Sequence, residues 1–136
     1  MLNEKIKYPY ASFIDSNDVR LNTGYRLEDI LLDAEEENAV DNALREIARM
    51  IYDKLPPFER RRIYADPANK EALARCQMYQ IVYILENNDI STRNGIGIAG
   101  PGLVSLDDLR GWRVIAPSVY EEFMEHGWLY RGVSCL

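Results

Sequence analysis

From Arg26 onward the apolar residues fall into helical registers. Leu27, Ile30, Leu31 and Ala34 recur at spacings of three and four, which places them on one helix face. A second stripe of Val40, Leu44, Ile47, Ile51 and Leu55 follows the acidic run Glu35–Glu37. Continuing the first stripe would put Asn38 and Asp41 on its apolar face, so the two are out of phase and a kink or break is expected near Asn38. Pro56 and Pro57 end the second helix, because neither donates the backbone bond that continuation needs. FERRRIYAD then allows a helical turn or two.

The clearest helix begins at Asp66, an N-cap residue, with Pro67 at the first helical position, and runs through ANKEALARCQMYQIVYILEN to the pair Asn87 and Asn88. Its first half is amphipathic and Cys76–Leu85 is apolar on most sides, the mark of a helix at the centre of a core. A last helix starts at Ala116–Pro117–Ser118, continues through VYEEFMEH and stops at Gly127. The fold class expected is therefore mainly α: a small helical bundle around one central apolar helix, in a single domain spanning 1–136.

Three stretches lack a helical pattern. Residues 1–25 hold Tyr8-Pro9-Tyr10 and clusters of turn-formers, and are expected to be an extended N-terminal arm with at most a short strand or helical turn. Residues 90–116 are expected to be a Gly-rich loop or short β-hairpin between the last two helices, with Trp112, Val114 and Ile115 alternating as a strand would. Residues 128–136 form a C-terminal tail.

Gly95, Gly97 and Gly100 spell G-x-G-x-x-G. A dinucleotide fingerprint needs a strand leading into the glycines and a helix leaving them, whereas here a long helix and polar ENNDISTRN precede them and Pro101-Gly102 follows. No lysine stands where a phosphate-binding P-loop needs one. The remaining readings are a plain connection and a loop in which Ile96 and Ile98 touch a neighbouring subunit, ordering residues 90–106 only on assembly.

At 136 residues the chain buries roughly two thirds of its unfolded surface, enough for a core without staples. No apolar run approaches the length of a membrane span, and MLNEKIKYPYASF has no apolar region behind its lysines, so it does not read as a secretory signal. Cys76 and Cys135 lie in unlike contexts, which argues against a disulfide and for a reducing cytosol. Sixteen basic against 22 acidic residues give a net charge of -6, and Arg60, Arg61 and Arg62 are the only dense basic cluster. Tight direct binding of DNA is disfavoured. His126 has no cysteine nearby in sequence, so no zinc site is expected; it fits as a helix C-terminal residue, with Glu121, Glu122 and Glu125 solvated beside it. Cys76 reads as a small core residue. No nucleophile, base and orienting group assemble. Not an enzyme, with no cofactor and no metal, is the expectation.

The order of features resembles a known family. A helical N-terminal half leads to EALARCQMYQIVYILENN, then to a Gly- and Ser-bearing loop, a Pro-initiated short helix, and a close on HGWLYRGV. This is similar to the head-tail connector (adaptor, or head-completion) proteins of long-tailed bacteriophages, over roughly residues 26–133. The resemblance implies a structural virion protein at the head-tail junction, made in the bacterial host cytoplasm. It implies a homo-oligomer, a dodecameric ring in the virion with a monomer as the alternative for the isolated chain, that docks on the portal protein, receives a downstream neck or tail protein, and lets genomic double-stranded DNA pass without specific binding. A dispersed acidic charge suits such a channel, since it repels phosphates. Another neck or tail-completion component, or a cytosolic helical protein-interaction module, are the competing functions. The assembly surface expected is Arg60, Arg61, Arg62, Ile96, Ile98, Trp128, Leu129, Tyr130 and Arg131, with the arginines serving docking more than folding. Trp128–Tyr130 either cover the end of the core or lie on another subunit; the resemblance favours the second.

Overall fold

The computed structural model describes residues 11–31, 34–87 and 105–129. Among them the chain is mainly helical, as expected, with seven α-helices and no strand: α1 Ser16–Thr23, α2 Leu27–Ile30, α3 Ala39–Lys54, α4 Arg60–Ala65, α5 Lys70–Asn87, α6 Leu106–Gly111 and α7 Pro117–His126. Of the glycine loop or hairpin expected over 90–116, residues 90–104 lie outside the described residues.

Helix α5 is the axis. One face packs on α3 and another on α7, while α6 lies against α3 and α1 touches α5. Ile47, Ile51 and Leu55 from the α3 stripe meet Leu73, Ile81 and Ile84 of α5 and Val119 and Phe123 of α7 in one buried cluster. The break expected near Asn38 is present: Asn38 takes φ 61°, a left-handed conformation that asparagine tolerates, and α3 starts on the next residue. Asp66 caps the start of the central helix by accepting the Ala68 N–H at 3.0 Å, and Pro67–Asn69 form a 3-10 turn leading into α5.

Two expectations change. Residues 11–25 are folded rather than an extended arm, because Asp15 and Asp18 form a reciprocal capping box that starts α1, and Gly24 ends it at φ 82°. Residues 105–111 are helix α6 rather than loop, since Ser105 and Asp108 make the same kind of box. Residues 112–116 are extended, but their backbone is bonded to a side chain of α5 and not to a strand.

Candidate functional site

Two glutamines in the apolar half of α5 organise its surroundings. Gln77 and Gln80 are both fully buried, a cost unless every polar atom finds a partner. The Oε1 of Gln80 accepts the Ala116 N–H at 2.8 Å and its Nε2 donates to the Val114 carbonyl at 3.0 Å, so one side chain stands in for a neighbouring strand along 112–116. Gln77 does the same for the N-terminal segment: its Oε1 accepts the Phe13 N–H at 2.9 Å, and its Nε2 donates to the Tyr64 hydroxyl. Tyr64 in turn donates to the Ala11 carbonyl at 2.9 Å, and burial pushes its phenol well above the usual range.

With those segments fixed, part of α5 is left uncovered by the described residues between α1 and the start of α7. Two adjoining hollows, about 440 and 400 Å³, share Asn22, Met78 and Tyr79 and form a groove along the helix. Phe13, Ala74, Val82 and Tyr83 are among its other apolar lining residues, and Asp18 and Glu86 stand on it as carboxylates. Arg75, the cation on the same surface, is occupied: it donates to Glu122 Oε2 at 2.6 Å.

Glu122 was expected in solvent and is instead 7% exposed, because it shares the inward stripe of α7 with Val119 and Phe123. The hydrogen bond from Arg75 and a contact with His126 Nε2 at 3.2 Å hold its carboxyl below the usual carboxylate range, against the opposing effect of burial. The His126 ring stacks on Trp128 at 4.4 Å between centroids, and Trp128 meets Phe123 edge-on at 5.9 Å. Burial pushes the Cys76 thiol up to about 12, so it carries almost no thiolate at neutral pH.

The residues expected to form an assembly surface separate here. Trp128 is 6% exposed and Leu129 packs on the core, so this start of the tail covers its own domain instead of lying extended on a neighbour. The reason is Gly127, whose φ of 71° turns the chain back as α7 ends, with the Trp128 N–H donating to the Phe123 carbonyl at 2.9 Å. Ile96, Ile98, Tyr130 and Arg131 lie outside the described residues.

The arginine trio divides as well. Arg60 is a folding residue: its Nη2 donates to the Asp53 and Leu55 carbonyls, both at 3.2 Å, and its guanidinium lies over the Tyr52 ring at 5.4 Å, so it closes the C-terminal end of α3. Arg62 pairs with Glu59, and Arg61 is exposed. Beside them stands a residue that composition and periodicity did not single out, Phe58, which is 99% exposed.

Among the described residues no cluster of histidine, cysteine or carboxylates could hold a metal ion, and no helix is long and apolar enough to cross a membrane. What the surface offers is contact: a groove of mixed apolar and polar lining, and an aromatic tip with arginines. Comparison with family models, curated proteins and solved structures finds no match to this chain.

Proposed function

We propose that the chain is a structural virion protein of a tailed phage, a ring adaptor that docks on the portal and joins the DNA-filled head to the tail. The observation that carries the reading is the order of elements around α5. A helical N-terminal half precedes it, a glycine-bearing stretch and the Pro-initiated α7 follow, and the chain closes on GWLYRGV, the arrangement in which it resembles connector proteins. The surface chemistry supports the same reading, since a ring subunit needs two different contact faces and an acidic surface that does not hold DNA. On this reading it is not an enzyme, needs no cofactor, and belongs at the virion neck with the portal above and a neck or tail protein below.

The groove on α5 also favours a second reading, a helical protein-interaction module with no virion role. Disrupting the gene in its phage genome separates the two. The adaptor reading expects DNA-filled heads and free tails that fail to join, with joining restored by the chain supplied in trans. Tailed infectious particles from the disrupted genome would overturn it.

A further inference from the structure

The tip at Phe58 and the groove on α5 are complementary, and we propose that they are the two halves of one contact between copies of this chain. The tip is built to be rigid. The Glu59 N–H donates to the Pro56 carbonyl at 3.0 Å, closing a turn with Pro57 and Phe58 at its centre. Arg60 ties that turn to the end of α3 through the Asp53 and Leu55 carbonyls. A phenylalanine 99% exposed on so fixed a support loses little freedom when it is buried by a partner. Arg61 and Arg62 stand exposed behind it, and aromatic and arginine anchors are what protein interfaces concentrate.

The groove answers each of these features. Its floor of Met78, Tyr79, Val82 and Tyr83 is apolar and aromatic, suited to a phenyl ring. Its exposed carboxylate Glu86 has the sign that Arg61 requires, while Arg75 is already held by Glu122, Arg62 by Glu59, and Asp18 accepts the Asp15 N–H. None of its lining residues comes from the 56–62 corner, so the tip and the groove are separate surfaces of one molecule. A contact between two different surfaces is head-to-tail, and head-to-tail contacts repeat into a closed ring or an open filament. This deepens the ring reading by naming the contact between copies. The contact is judged by purified chains and the neck role by heads and tails, so either can fail alone.

Sedimentation of the full chain over a wide concentration range tests it, with Phe58→Asp blunting the tip and Tyr83→Arg/Glu86→Arg closing the groove. Phe58 touches too little of its own chain for its replacement to disturb folding, and circular dichroism melts check the groove variant. The wild-type chain should self-associate, and each variant should do so about tenfold more weakly or less. Mixed, the two variants should form a one-to-one pair that grows no further, because one brings the only working groove and the other the only working tip. A wild-type chain that stays monomeric at every concentration, a Phe58→Asp chain that associates like wild type, or variants that remain apart on mixing would each overturn the contact.

Discussion

Phe58 and Trp128 are large aromatics placed a few residues beyond the ends of α3 and α7, each followed within three residues in sequence by arginine, yet one is 99% exposed and the other 6%. The difference comes from the residues that precede them. Gly127 takes φ 71°, reverses the chain, and brings Trp128 back onto Phe123 and His126. Pro56 and Pro57 permit no such reversal; they hold the chain out in a turn whose apex is Phe58. An aromatic near a helix end is core or contact according to the backbone that delivers it, and residue type alone does not decide.

Four substitutions test how far that contrast extends. The largest effect should come from Trp128→Ala, which removes a buried indole and should cost about 3 kcal/mol or more in denaturant unfolding. Phe58→Ala should change stability by less than about 0.5 kcal/mol. Equal losses at the two positions would erase the distinction between them.

Next is the support beneath the buried side. Gln80→Leu keeps the volume but leaves the Val114 carbonyl and Ala116 N–H without the partner they have in the fold, at a cost of about 2 kcal/mol. Urea unfolding reads it, and a neutral result would mean that water replaces both bonds.

A further small effect depends on pH. Glu122 titrates below its ordinary 4.5 in the folded chain, first because Arg75 donates to it. Its ionised form therefore adds stability above that ordinary value, and the contribution is lost as pH falls through the folded value. Acidification below about pH 5 should lower the unfolding free energy of the wild type more steeply than that of Glu122→Gln, by an amount on the order of 1 kcal/mol or less because Arg75 is half in water, as urea unfolding at each pH would read. Parallel pH profiles would show that the pair contributes nothing.

The long helices were legible because their signals are periodic: α3 through its stripe, α5 through Asp66, Pro67 and its apolar run, and α7 between Pro117 and Gly127. Helices α1 and α6 were not, because they are short and their signal is a pair of polar residues three apart, Asp15 with Asp18 and Ser105 with Asp108, which reads equally as a turn. The carboxylate of Glu122 had a usable signal, since Val119, Glu122 and Phe123 share one stripe. Gln77 and Gln80 likewise stand three apart in an otherwise apolar stretch, but nothing local says what they bond. Their partners lie 64 and 36 residues away in sequence, and only the packed chain brings them close. The exposure of Phe58 is of the same kind, a property of what surrounds a site.

Those two glutamines also set an order of events. A helix can form from local contacts alone, but the bonds to Phe13 and Ala116 close loops of dozens of residues and cannot appear until α5 exists and the chain has folded around it. The amide protons of Phe13 and Ala116 are thus guarded by side chains of a distant helix and not by any ladder of their own. In hydrogen–deuterium exchange they should open together with the departure of their segments from α5, at a free energy below that of the helix interior. Two single backbone protons then become gauges of whether the extended parts of the chain are still fastened to its axis.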